Sequence, residues 1–226
     1  MIAGILRDVR SVMNRDPAAR TTAEVILCYP GLHAVWGHRL THWLWQRGAK
    51  LPARFLAEII RKLTGVEIHP GAKLGSGVFI DHATGVVIGE TAEVGDDVTI
   101  YHGVTLGGTN LQAVKRHPTV GNGVIIGAGA KILGAITIGE GSRIGANSVV
   151  IKPVPPGTVV VGVPGQIVDS TGSTATESDL PDPLGVSLYS LLTRVARLET
   201  QSEKPAGERV IRPPQAGVWH GEDFSI

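Results

Sequence analysis

Cysteine is almost missing from this sequence: Cys28 is the one thiol in 226 residues. No internal disulfide can form, and a reducing compartment, the cytoplasm, is the expected location. Aromatic residues make up only 4%, which argues against an ordinary helical bundle built around large rings. Charge of one sign is lacking as well. Lys and Arg total 21 against 20 Asp and Glu, a net charge of +1, so no broad basic face exists for nucleic acid or an anionic membrane. No apolar run approaches the ~20 residues that a membrane span needs. The opening stretch MIAGILRDVRSVMNRD is broken by Arg7, Asp8 and Arg10, and it is read as neither signal peptide nor anchor. Glycine, by contrast, is abundant at 30 residues, and it points to a repetitive, turn-rich chain whose partners are small molecules or proteins. The length suits one principal domain with appendages.

A repeat is present. Aliphatic residues recur at Ile68, Leu74 and Ile80, at Ile88, Val94, Ile100 and Leu106, and at Val120, Ile126, Ile132, Ile138, Ile144 and Val150. The spacing is six, and four positions after most of them stands Ala, Val or Ser. A period of six fits neither a helix of 3.6 residues per turn nor strand alternation. It suits a triangular solenoid, with one hexad per flat side, the aliphatic residue inward, and Gly or Asn at corners where φ turns positive. The fold class expected is mainly β, a parallel β-helix of about four coils of eighteen residues.

Two intervals break the period. Ile80 to Ile88 is eight residues, through DHATGVV, and Leu106 to Val120 is fourteen, read as two hexads plus two. Residues 107–118 are expected to protrude as a loop, and both breaks carry histidines. Residues 1–65 lack the repeat and read as a helical domain, interrupted at Pro30–Gly31 and ending at Gly65. Residues 66–168 form the solenoid. Residues 169–226 read as a Pro-rich linker, a short amphipathic helix near 186–199 and a tail ending in Ile226.

The strings DHATGVVIGETAEVGDDVTI, VTLGGT, KRHPTVGNGVIIGAGAKILG and VPPGTVVVGVPGQIV resemble the bacterial serine acetyltransferases of the hexapeptide-repeat superfamily. The resemblance spans about residues 66–168 and implies a left-handed β-helix that transfers acetyl from acetyl-CoA to the L-serine hydroxyl in cysteine biosynthesis. It places a general base at His82, since imidazole near its ordinary pKa of ~6.5 can take the proton of a hydroxyl too weakly acidic to ionise. The family's orienting carboxylate falls on Glu67, where Asp is usual. An exposed rim glutamate and a structural turn histidine are the plain alternatives.

The resemblance also assigns Asp81 and Asp16 to the amino-acid side of the substrate, and Arg116 and His117 to its carboxylate, which a guanidinium matches bidentately. An Asp before Pro17 is equally an ordinary helix N-cap. Gly108 and Ala128 are implied along the acetyl-CoA slot, although small residues there would also satisfy coil geometry. Lys131 and Lys152 are candidates to meet the CoA phosphates, but solvated surface lysines are the plainer reading. His102, twenty residues beyond His82, is expected one coil above it; stacked histidines with His117 of a neighbouring chain would resemble a γ-class carbonic anhydrase zinc site, but the surrounding strings favour the acetyltransferases. No metal and no tightly bound cofactor are expected.

The family further implies a homotrimer, or a hexamer, in which the base of one chain works with the substrate loop of the next, and docking of the C-terminal Ile226 into cysteine synthase, the O-acetylserine sulfhydrylase. Two other readings stay open: an acetyltransferase acting on a sugar or another small hydroxyl or amine, and a non-catalytic scaffold presenting its tail.

Overall fold

The computed structural model describes residues 2–168, 190–195 and 197–198. The chain divides into two units, Met1–Asp179 and Leu180–Ile226; residues 190–195 and 197–198 of the second are helical. Ile226 and the rest of the expected linker and tail lie outside the described residues.

Four helices come first: α1 (Ile2–Arg15), α2 (Thr22–Cys28), α3 (Pro30–Gln46) and α4 (Lys50–Thr64). Thr21 caps α2, accepting from the Glu24 N–H at 3.1 Å, and Pro30 opens α3, where a missing N–H costs nothing. α4 stops at Gly65, whose φ of 73° lets the chain reverse into the first strand.

From Glu67 onward the chain winds a left-handed parallel β-helix of strands two or three residues long. The first face stacks Ile68, Ile88, Leu106, Ile132 and Val150 in register. The second stacks Leu74, Val94, Val120 and Ile138; the third stacks Ile80, Ile100, Ile126, Ile144 and Val160. All but Leu74, which is partly buried, lie in one continuous core, together with Ala72, Val78, Ala92, Val98, Val104, Val124 and Ala130 from the position four after each repeat residue. Burying each large aliphatic side chain stabilises the fold by about 1.5–3 kcal/mol, and a core of small branched residues explains why the aromatics are few.

Three details depart from the sequence expectation. Leu106 and Val120 sit on adjacent faces, since Val120 pairs with Val94, so the fourteen-residue interval is one hexad with eight inserted residues. A fifth, irregular coil follows the four, with Val154 bridging to Ile138 and Val160 pairing with Ile144. Finally, Gln166–Val168 runs antiparallel to Val159–Val161, so the chain reverses on its last coil and covers the edge of the third face.

The helices close the other end. Ala34 and Val35 of α3 belong to the solenoid core, while Val9, Val12, Val25 and Leu32 enclose the outward-facing Phe79. Gly31 lies so close to the coil that a Cβ there would overlap the Ile80 carbonyl oxygen. The fully buried Asp8 accepts from Gly77 N–H (3.0 Å), the Arg39 guanidinium (2.8 Å) and the Trp36 indole (3.2 Å). This ties α1 to a solenoid corner and sets its C-terminal end beside the first coil.

Candidate active site

The break after Ile80 is a corner between the third and first faces. His82 and Ala83 occupy it with φ of 56° and 57°, a left-handed conformation that non-glycine residues adopt at a cost. Asp81 Oδ1 accepts the His82 backbone N–H at 2.9 Å, and Asp81 Oδ2 lies 3.5 Å from His82 Nε2. The Asp81 side chain is mostly covered, whereas that of His82 is 72% exposed, so the imidazole is free to meet a substrate.

Because Ile80, Ile100, Ile126 and Ile144 are in register, the residues two positions on, His82, His102, Ala128 and Ala146, form a column along this edge. The rings of His82 and His102 meet edge to face, centroids 5.7 Å apart, as the twenty-residue coil implied. Ala128 stands two coils above His82, about 10 Å higher at ~4.8 Å per coil. Small side chains there leave the upper edge open above the two rings.

The helices contribute to the same edge. Asp16 follows the last turn of α1 and is not the N-cap of α2, a role that belongs to Thr21. Its Oδ1 accepts from Ala18 N–H at 2.8 Å and its Oδ2 from the Tyr29 hydroxyl at 2.5 Å. Burial, the bond to Asp16 and the negative charges of Asp16, Glu24 and Asp81 raise the Tyr29 pKa, so Asp16 and Asp81 both lie within electrostatic reach of this phenol. Tyr29 was not legible as a site residue; its one signal is an aromatic placed before the Pro30–Gly31 break.

Glu67 occupies the first strand of the first face, one coil below Val87. Its carboxylate lies 3.9 Å from Arg61 of α4, and no hydrogen bond or ion pair joins it to His82 among the described residues. The carboxylate nearest His82 is therefore that of Asp81. A cavity of about 320 Å³ opens between Arg61, Glu67, Gly85 and Val87.

Arg116 and His117 lie elsewhere, where the inserted loop returns to the corner between the first and second faces. The Arg116 guanidinium donates to Glu90 at 2.6 Å, a bond that holds the Glu90 carboxyl below its usual range. His117 is buried, its ring lying over Gly89, where a Cβ would overlap it. Gly108 belongs to this second cluster, since a Cβ on it would come within 3.3 Å of His117 Nε2 and 3.2 Å of Arg116 Cγ. The face between the two clusters is about five residues wide, roughly 16 Å at ~3.3 Å per residue. A single chain thus separates His82, Asp81, Asp16 and Ala128 from Arg116, His117 and Gly108.

Lys131 differs from the solvated lysine expected: its ammonium donates to the Gly103 and Gly129 carbonyls at 2.7 and 2.6 Å. Among the described residues no cluster of three or more His, Cys, Asp or Glu side chains could hold a metal ion, and no helix is long and apolar enough to cross a membrane.

Residues 117–152 match the family model for the bacterial transferase hexapeptide (six repeats). Serine acetyltransferase of Mycobacterium tuberculosis is 68% identical over 229 aligned residues, covering 100% of both chains. Among solved structures, serine acetyltransferase of Neisseria gonorrhoeae in complex with serine is 45% identical, with a TM-score of 0.72 over 74% of this chain and 69% of that one. The Brucella abortus serine acetyltransferase in complex with coenzyme A is 48% identical, with a TM-score of 0.74 over 76% of this chain and 69% of its own. Identity on this scale over the full length, on the same solenoid, means that the chain belongs to the serine acetyltransferase family.

Proposed function

We propose that His82 is the general base of this serine acetyltransferase and that the amino acid is held by residues from both solenoid edges. The enzyme transfers acetyl from acetyl-CoA to the serine hydroxyl. The observation that carries it is the edge column: a solvent-facing imidazole beside Asp81 with small residues above it, and the Tyr29 phenol within electrostatic reach of both Asp81 and Asp16.

In this reading His82 takes the hydroxyl proton as the serine oxygen attacks the thioester carbonyl. The tetrahedral intermediate then collapses, the C–S bond breaks, and the proton on the imidazolium passes to the departing thiolate. Glu67 turns from Arg61 to orient the ring, as the carboxylate of a hydrolase triad does. Asp81 and Asp16 receive the substrate ammonium, while Arg116 and His117 receive its carboxylate, so that the hydroxyl is aimed at the base. Ala128 and Gly108 border the pantetheine arm.

Because the two clusters lie on different edges, the site is completed by a second copy: the His82 edge of one subunit faces the Arg116 loop of the next, and a cyclic trimer closes the arrangement. Residues 1–65 serve as the helical domain, 66–168 as the catalytic solenoid and 169–226 as the segment whose Ile226 docks into cysteine synthase. Deleting Ile226 is expected to leave acetyl transfer intact and abolish capture of the sulfhydrylase.

The test of the mechanism is thiol release from acetyl-CoA with serine against a panel of sugars and amino acids, for the enzyme and for His82→Ala. Serine-dependent release should fall by roughly 10²–10⁴ in the variant. Undiminished turnover in His82→Ala would remove the base.

A further inference from the structure

Thr91, at the turn where the second coil passes from its first to its second face, binds three consecutive residues of the returning loop. Its hydroxyl oxygen accepts from the Arg116 N–H at 3.0 Å and the His117 N–H at 3.1 Å. Its carbonyl accepts from the Lys115 ammonium at 2.6 Å. Its own backbone N–H points at His117 Nδ1 at 3.2 Å, and its hydroxyl lies 2.9 Å from the same nitrogen.

A backbone N–H can only donate. Nδ1 is therefore the unprotonated nitrogen of His117, and the hydroxyl, already accepting from two backbone N–H groups, sends its own proton there too. The ring proton must sit on Nε2, and an imidazolium, with a second proton on Nδ1, would set N–H against N–H. We propose that Thr91 is a positioning residue that locks His117 as a neutral Nε2–H donor, suited to holding the substrate carboxylate and unable to act as a second base. The proposal rests on the reading that Arg116 and His117 hold the amino acid.

The surroundings agree. Burial, followed by the positive charge of Arg116, lowers the His117 pKa against the opposing pull of Glu90, and Lys115 adds to the lowering. His69, a further titratable neighbour, is itself held neutral, its pKa pushed down to about 4, first by burial and then by Arg54. Gly108 leaves the Nε2 side open to a ligand, because a side chain there would press on that nitrogen. The division of labour follows: His82, exposed and without such a lock, accepts the proton, while His117 can only donate.

Nitrogen-15 NMR of histidine-labelled full-length enzyme tests the lock, with His117→Gln assigning the signal. The wild-type His117 ring should show a protonated Nε2 and bare Nδ1 and keep them as pH falls through 6.5. In Thr91→Val the tautomers should mix, the serine KM should rise roughly tenfold for the lost loop bonds, and the acetyl-CoA KM should stay unchanged. Thr91→Ser should restore both. A protonated Nδ1, an ordinary titration near 6.5 in the wild type, or a valine variant with unchanged tautomer and serine KM would overturn the lock. A locked His117 whose replacement by Gln leaves the serine KM unaltered would overturn its substrate role instead.

Discussion

The Glu67 carboxylate lies 3.9 Å from the Arg61 guanidinium, on the face whose neighbouring corner carries His82. If the pair served only to anchor α4, Arg61→Ala and Glu67→Gln would have equal effects. A carboxylate that orients the base predicts otherwise. Glu67→Gln should lower kcat by at least about tenfold, since removing the charge from a triad carboxylate is costly, and Glu67→Asp should retain most of it. Arg61→Ala should leave kcat nearly unchanged. Equal kcat values for the Arg61 and Glu67 variants would return Glu67 to a structural role.

A subunit-shared site predicts complementation. His82→Ala and Arg116→Ala should each be nearly inactive alone. After co-refolding in equal amounts, about a quarter of the interfaces in a random cyclic assembly pair an intact His82 with an intact Arg116. Activity should return to that extent, and mixtures that stay inactive would show that each chain builds its own site.

Gly31 tests the coupling of helix α3 to the corner that carries His82. In Gly31→Ala the new methyl would overlap the Ile80 carbonyl, and relieving it should cost about 1–3 kcal/mol. The melting temperature should fall by about 3–10 °C. Because Ile80 immediately precedes Asp81 and His82, kcat should fall as well, even well below the melting transition. An alanine variant with unchanged Tm and kcat would show that α3 can retreat freely.

Acid should weaken the fold through His38. Its Nε2 donates to the Ala72 carbonyl at 3.1 Å, while its Nδ1 is buried with no partner among the described residues. Burial, with a smaller contribution from His42, pushes its pKa down to about 3. Between pH ~6.5 and that value the unfolded chain binds a proton that the folded chain does not, so stability declines as pH falls, by up to about 1.4 kcal/mol per unit. Urea denaturation at fixed protein concentration should therefore show a shallower decline between pH 7 and 5 for His38→Gln, which keeps a donor for Ala72 and cannot charge. Parallel declines would place the acid sensitivity elsewhere.

What the sequence determined by itself was the solenoid and the corner that carries His82. Each repeat residue repeats a local requirement, an inward aliphatic side chain every six positions, and the backbone then stacks like on like. Ile68, Ile88 and Leu106 fall in register for that reason, and His82 and His102 come together by coil length alone. The break around His82 was legible because it is a run of contiguous residues that departs from the period.

The tertiary structure decided how distant segments meet. Tyr29 meets Asp16 across the junction of α1 with the Gly77 corner, to which Asp8, Ser11 and Arg15 all bond, and Thr91 holds His117 across 26 residues of chain. The inserted loop's length could be counted, yet the face to which it returned could not, since an insertion adds residues without adding a coil. Hydrogen bonds across such separations depend on where the backbone returns in space, which periodicity does not encode. For the same reason, only the stacked coils show that Arg116, His117 and Gly108 lie on a different edge of the chain from His82.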